Sequence, residues 1–208
     1  SRGLVGSEMC IRDRSQGLIK EGSTIIESTA GNTGLGLALA AKLKGYNLIL
    51  VIPDKMSEEK IMHLEAMGVE IIMTRSDVEN GHPEHYQSIA EKLLESTPNS
   101  FFANQFENQS NPKVHFETTG PEIWSQMEGE IDAFVAGVGT GGTISGVGEF
   151  LKSKNPDIKI VIADPVGSVI ADAVNNGEFK YDGGSWNVEG IGEDYICLLY
   201  TSDAADDG

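Results

Sequence analysis

Ile131-Asp132-Ala133-Phe134-Val135-Ala136-Gly137-Val138-Gly139-Thr140-Gly141-Gly142-Thr143-Ile144 is the stretch on which the fold turns. The apolar run Ile131 to Ala136 predicts a buried parallel strand, and Ile144 to Lys154 predicts an amphipathic helix. Four glycines stand between them in the six residues Gly137 to Gly142. They let the backbone turn sharply and aim successive N–H groups at one point, with a helix N-terminus behind them. Such a cradle suits a phosphate. A glycine-rich strand-to-helix turn without a ligand is the plain alternative. The loop is not a Walker P-loop, because no Gly-Lys-Ser/Thr follows the glycines.

The same strand–loop–helix pattern runs through the residues upstream. Ser23 to Glu27 is a β-rich run that gives way to Ser28-Thr29-Ala30-Gly31-Asn32-Thr33-Gly34, and Gly34 to Lys44 reads as a helix closed by Gly45. Asn47 to Ile52 predicts a strand stopped by Pro53. Ser57 is placed to cap a helix whose buried face is Ile61, Met62, Leu64 and Met67. Val69 to Thr74 reads as a strand, Pro83 to Glu95 as a helix, and Phe101 to Gln105 as a strand entering a loop. Asn111-Pro112 opens a helix to about Met127, and Ile158 to Ala163 is a last strand. This alternation predicts parallel α/β layers, with a change of domain near residues 104–112.

Thr29 to Gly34 is a second candidate site. A strand-end loop of Thr, Gly and Asn feeding a helix presents N–H groups and hydroxyls to an anion such as a carboxylate. A capped helix start without a ligand explains the same residues. Two such loops at carboxyl ends of strands, where α/β proteins bind ligands, imply a ligand set with two anionic groups.

Composition excludes several partners. A formal charge of −17, from 32 acidic and 15 basic residues, argues against nucleic acid and anionic membranes. No apolar run is long enough to span a bilayer and no signal peptide is apparent, so a cytoplasmic protein is expected. The two cysteines, Cys10 and Cys197, lie near the ends. The interior therefore offers neither a thiol nucleophile nor a thiolate metal site.

The ends read differently from the interior. Met9 to Asp13 can be encoded ATG TGT ATA AGA GAC. Extended by AG on each side, that string has a reverse complement containing TGT CTC TTA TAC ACA TCT, which encodes Cys197-Leu198-Leu199-Tyr200-Thr201-Ser202. An inverted repeat shared by two termini has the form of a transposon-end sequencing adapter. Residues 1–14 and 197–208 are therefore set aside as adapter-encoded, leaving a smaller α/β domain over 15–108 and part of a larger one over 109–196. Removing three basic and five acidic residues with the ends takes the charge from −17 to −15, so the acidity belongs to the interior.

Four stretches occur in a fixed order: Ile25-Ile26-Glu27, the Thr29 to Gly34 loop, Asn111-Pro112 with Thr118-Thr119-Gly120-Pro121-Glu122-Ile123, and Gly139 to Thr143. Together they resemble the pyridoxal-phosphate enzymes of the cysteine synthase and cystathionine β-synthase family, from about Gly17 to Ile196. The resemblance implies the tryptophan-synthase-β-like fold (fold type II), with two three-layer α/β domains, both incomplete here. It implies pyridoxal 5'-phosphate as cofactor, its phosphate held by Gly139, Thr140, Gly141, Gly142 and Thr143, and Asn32 near its phenolic oxygen. It also implies that Thr29, Ala30, Gly31 and Thr33 close over a substrate carboxylate, with Gln105 helping to hold it. Gly190, in Gly190-Ile191-Gly192, matches a backbone segment beside the reacting amine. Pro98-Asn99-Ser100, Asp164 to Ser168 and Val188 to Tyr195 favour cystathionine β-synthase over cysteine synthase within the family. The partners implied are amino-acid and thiol substrates and a second copy of the chain in a homodimer.

One departure is chemical. The family's cofactor-bearing lysine sits in Ser-x-Lys-Asp-Arg, about one helix before Gly17. Arg12-Asp13-Arg14 has Arg where Lys is required and lies too close to Gly17, so no catalytic residue is assigned and this chain is expected to be inactive. Ala30 stands where many relatives carry serine, which removes a hydroxyl contact and keeps a backbone one. His82-Pro83-Glu84-His85 is not a His-Glu-x-x-His metal motif, and no metal is assigned. His115 is expected to pack or hydrogen-bond within its helix. Two other readings stay open: a nicotinamide dehydrogenase with Asp164 on a ribose hydroxyl, and a lysine-less amino-acid-binding relative.

Overall fold

The structure is a computed structural model that describes residues 5–29, 31–78, 81–177, 186, 188 and 190–196. The chain divides into two compact units, residues 1–105 and 106–208.

The first unit is built on a parallel sheet of order β3-β2-β1-β4: β1 (Thr24–Ser28), β2 (Asn47–Pro53), β3 (Glu70–Thr74) and β4 (Ser100–Phe102). Ile26 faces Ile49 on one side and Phe102 on the other, which sets the register. Alternate residues of the strands serve opposite faces. Ile25, Leu48, Leu50 and Ile52 pack with α2 (Asn32–Lys44) and α3 (Glu58–Ala66), while Ile26, Ile49 and Val51 pack with α4 (Tyr86–Ser96). Both faces are covered, so the strands are near-continuous apolar runs. Helix α2 ends where Gly45 takes φ 73°, the left-handed conformation that glycine adopts without strain.

Strand β1 is where the strand order reverses, with β2 on one side and β4 on the other. In open α/β sheets the crevice at the carboxyl end of such a strand is where ligands bind. The Thr29 loop leaves β1 at that point.

Val5–Ser15 form helix α1, and all of them but Ser15 lie within residues 1–14, which the codon argument sets aside. Met9 is buried against the Leu/Ala face of α2, and the Ser7 hydroxyl donates to the Gly36 carbonyl at 2.9 Å. Met62, placed on the buried face of α3, is 61% exposed; Leu64 alone of that helix is fully buried, and Met62 stands two residues from it, a spacing that does not share a helix face. Ser57 sits at the N-cap of α3 without a capping side-chain bond.

The second unit carries a two-stranded parallel sheet, β5 (Ala133–Gly137) and β6 (Lys159–Ala163), with α7 (Gly142–Lys154) between them in sequence. Ile144, Val147 and Leu151 of α7 pack on Phe134, Ala136, Ile160 and Ile162. Among the described residues the other face is open: Val135 is 61% and Val161 41% exposed. The unit therefore shows two of three possible layers. The stretch expected as one helix from Asn111 is a composite of α5 (Ser110–Val114), a π-helical turn (His115–Thr119) and α6 (Gly120–Gln126). A short α8 (Ile170–Asn176), for which no sequence expectation was made, follows β6. Among the described residues no helix is long and apolar enough to cross a membrane.

Candidate functional site

The Thr29 loop of the first unit is tied down from three directions. The Thr29 N–H donates to the Val51 carbonyl at 3.1 Å, holding the loop's start to β2. The Gly31 N–H donates to the Thr29 hydroxyl oxygen at 3.1 Å, so the loop folds back on its own threonine. Gly34 packs so closely that a Cβ there would lie 2.9 Å from Leu50 Cδ1. Helix α2 starts at Asn32 with Gly31 as an extended N-cap that has no side-chain cap, and Asn32 is exposed. Ala30 lies outside the described residues.

Gln105 crosses from the end of β4 to this loop. Its Oε1 accepts from the Thr33 hydroxyl at 2.5 Å, and its Nε2 donates to the Ser28 carbonyl at 3.1 Å. Beneath it lies Glu27, fully buried, whose two carboxyl oxygens accept the N–H groups of Ser28 at 2.9 Å and Gln105 at 3.2 Å. Burial pushes the Glu27 carboxyl up to about 8, the two N–H donors opposing the shift and the nearby Asp13 adding to it. Glu27 thus straddles β1 and the end of β4 as a largely neutral acid at pH 7. Sequence reading used Glu27 only as part of a motif; its acidic residue inside the run Thr24–Ser28 was the available signal.

The glycine loop of the second unit is held as closely. Gly141 is the N-cap of α7 at φ 83°, a left-handed conformation that strains other residues, and as glycine it has no side chain with which to cap the helix. A Cβ on Gly142 would run into the Asn111 carboxamide, and one on Gly139 would lie 2.7 Å from the Gly190 carbonyl oxygen. The backbone can therefore approach its neighbours only because side chains are missing. Gly190 and Gly192 take φ 78° and 85°, and the Gly192 N–H donates to the Val138 carbonyl at 2.7 Å, laying the 190–192 segment along the loop's start.

Two hydroxyls belong to this loop. Thr140 Oγ1 accepts from Asn111 Nδ2 at 2.9 Å and from the Gly142 N–H at 3.3 Å. The exposed Thr143 has its Oγ1 3.1 Å from His115 Nε2, and His115 Nδ1 is 2.9 Å from the Thr119 hydroxyl. Burial lowers the His115 imidazole to about 4, so it is neutral at pH 7. The expected bond within its own helix is present; the bond to Thr143 was not anticipated. Asn111 and His115 stand four residues apart on one helical stretch, and that spacing was the legible signal.

Asp164 directly follows β6. Its Oδ2 accepts the Ala171 N–H at 2.9 Å, at the start of α8. Among the described residues no group of three or more His, Cys, Asp or Glu side chains that could hold a metal ion is present. His85 is buried at the N-cap of α4, and His82 Nδ1 accepts the Glu84 N–H at 3.1 Å.

Fold and loops define an α/β protein with a strand-end loop leading into a helix in each unit, one of the two glycine-rich. The sequence profile of the family described as "Pyridoxal-phosphate dependent enzyme" matches residues 2–207, and the chain belongs to that family. Its cofactor is pyridoxal 5'-phosphate, and its fold is the α/β fold type II. The dehydrogenase reading is thereby set aside. The chain is 49% identical to cystathionine beta-synthase of Apis mellifera, over 92% of this chain and 37% of that protein. It is 42% identical to cysteine synthase 1 of Emericella nidulans, over 87% of this chain and 49% of that protein. A solved hydrogen sulfide-producing enzyme of Fusobacterium nucleatum superposes with a TM-score of 0.87 at 35% identity, over 99% of this chain and 66% of that one. The chain spans less than half the length of these curated relatives.

The glycine loop fits the cofactor's phosphate on its own geometry. It offers a helix N-terminus whose N-cap is a glycine, glycines where a Cβ would collide, and two threonine hydroxyls whose oxygens lie against side-chain nitrogens of Asn111 and His115.

Proposed function

We propose that this chain is the cofactor-phosphate and substrate-carboxylate portion of an enzyme that joins L-serine to homocysteine, giving cystathionine and water. The observation that carries the reading is the glycine loop with its collision-limited glycines and held hydroxyls. The likeness to proteins named cystathionine beta-synthase at 42–49% identity supports the choice of serine and homocysteine. O-acetylserine with sulfide is the second reading, motivated by the 42% identity to a cysteine synthase.

Bound pyridoxal phosphate supplies an electron sink for loss of the serine Cα proton and departure of the β-hydroxyl as water. The chain's residues supply placement. Gly139, Thr140, Gly141, Gly142 and Thr143 hold the phosphate, and Asn32 donates its amide toward the phenolic oxygen. Thr29, Ala30, Gly31 and Thr33 close over the substrate carboxylate, and Gln105 orders that loop through the Thr33 hydroxyl. The Gly190 carbonyl lies beside the substrate amine. Orientation of this kind lowers the barrier by removing the entropy cost of bringing groups together.

The proton-abstracting, cofactor-bearing lysine is the missing part. We infer that residues 1–14 and 197–208 are adapter-encoded and that the native locus continues into Ser-x-Lys-Asp-Arg upstream. The present chain is expected to form no thioether from serine and homocysteine, measured by mass spectrometry of the products. A protein expressed from the locus sequenced across Arg14/Ser15 and Ile196/Cys197 is expected to form cystathionine and to run as a dimer on light scattering. Cysteine from O-acetylserine and sulfide, without cystathionine, selects the second reading. A locus encoding the chain as it stands makes it a lysine-less binding protein.

A further inference from the structure

We propose that Asn111 and His115, one helical turn apart, are positioning residues that turn the hydroxyls of Thr140 and Thr143 into fixed donors for the phosphate. The inference rests on the phosphate-loop reading above and adds two residues that the glycine motif does not contain.

A threonine hydroxyl has one hydrogen and two lone pairs. Thr140 Oγ1 accepts from both Asn111 Nδ2 and the Gly142 N–H, so both lone pairs are used. Its hydrogen is left to donate, which is what an anion needs. Asn111 is 2% exposed and its carboxamide fills the space that a Cβ on Gly142 would need, so the amide is held in place by packing.

His115 does the same for Thr143 by a different route. A neutral imidazole carries one donor and one acceptor nitrogen. With Thr119 O–H donating to Nδ1, Nε2–H donates to Thr143 Oγ1, and the Thr143 hydrogen turns outward. The opposite tautomer would draw the Thr143 hydrogen inward, toward Nε2, and away from an anion. The imidazole is kept neutral by its burial. Its position depends on the π-helical turn that starts at His115 and places it against α7. Gly146 of α7 is where the two elements meet: a Cβ there would lie 2.8 Å from His115 Cβ.

The ring tautomer is read first, by nitrogen chemical shifts of the ligand-free full chain, in which His115 is one of four histidines. Protonated Nε2 with bare Nδ1 is expected; the reverse overturns the inference whether or not anything binds. Titrations with pyridoxal 5'-phosphate and with inorganic phosphate then compare the unaltered chain with Asn111→Ala, His115→Ala, Thr143→Val and the His115→Ala/Thr143→Val pair. Each single variant is expected to weaken binding about tenfold, and the pair no more than its worse member, because the two side chains act along one line. His115→Gln, which keeps a donor, is expected to recover most of the loss. Full additivity, or a His115→Ala protein that binds as the unaltered chain does, overturns the inference. If the unaltered chain binds neither probe, the phosphate-loop reading itself fails.

Discussion

The two units spend similar sequence patterns on different degrees of enclosure. In the first, β1 and β2 are buried on both faces, by α2 and α3 on one side and α4 on the other. In the second, α7 covers one face of β5–β6 while Val135 and Val161 stand exposed on the other. Both sheets are parallel, and parallel sheets are normally covered on both faces. The difference teaches that the glycine loop does not depend on a fully enclosed sheet. Its shape comes from the helical stretch Ser110–Gln126, whose Asn111 and His115 reach it, and from the close approach at Gly142 and Gly146. The Thr29 loop, by contrast, is set by its sheet, through β2 at Val51 and the end of β4 at Gln105.

The comparison breaks most plainly at the cores. Leu50→Ala removes a fully buried side chain that also backs Gly34, and is expected to cost about 2–5 kcal/mol of unit stability, read by amide exchange in β1 and β2. Equal protection in the variant and the unaltered chain would mean the first sheet is not the enclosed core described.

Next in size is the buried acid. The Glu27 carboxyl is raised from 4.5 to about 8, so the folded chain keeps a proton that the unfolded chain releases. Its stabilising contribution is therefore complete below about 4.5 and declines as pH rises to about 8, by at most about 1.4 kcal/mol per pH unit. Glu27→Gln cannot titrate, although it loses one acceptor for Ser28 or Gln105. The stability difference between the two proteins should thus move in favour of the variant as pH rises from 5 to 8, measured by denaturant midpoints. A pH-independent difference would show that Glu27 is ionised when folded.

Gly142→Ala tests the second unit. The added Cβ meets the Asn111 carboxamide, and pyridoxal phosphate binding is expected to weaken at least about tenfold, which is about 1.4 kcal/mol. Unchanged binding would show that Asn111 can step aside without disturbing Thr140. The smallest effect is expected on the open face. Val135→Thr or Val161→Thr should change stability by less than about 0.5 kcal/mol, since both side chains already meet solvent. Tryptophan fluorescence suits that measurement, because Trp124 and Trp186, the only two tryptophans, both belong to the second unit. A loss several times larger would mean that this face is covered in solution.

The strands, the helices between them and both strand-end loops were legible in the amino-acid sequence, because apolar periodicity and glycine-rich turn chemistry act over a few residues. Thr29 to Gly34 and Gly137 to Thr143 could be placed at strand ends on that basis alone. The composite character of Ser110–Gln126 was not legible, since nothing local distinguishes one π-helical turn within a helical pattern. Nor was the reversal of strand order at β1, which brings Gln105 to Thr33 across 72 residues. The Glu27 bridge and the His115–Thr143 contact likewise join residues 78 and 28 positions apart. Such contacts depend on which strand lies beside which and on how closely two helices approach. That is settled by packing the whole unit, where a missing Cβ at Gly142 or Gly146 decides what can touch.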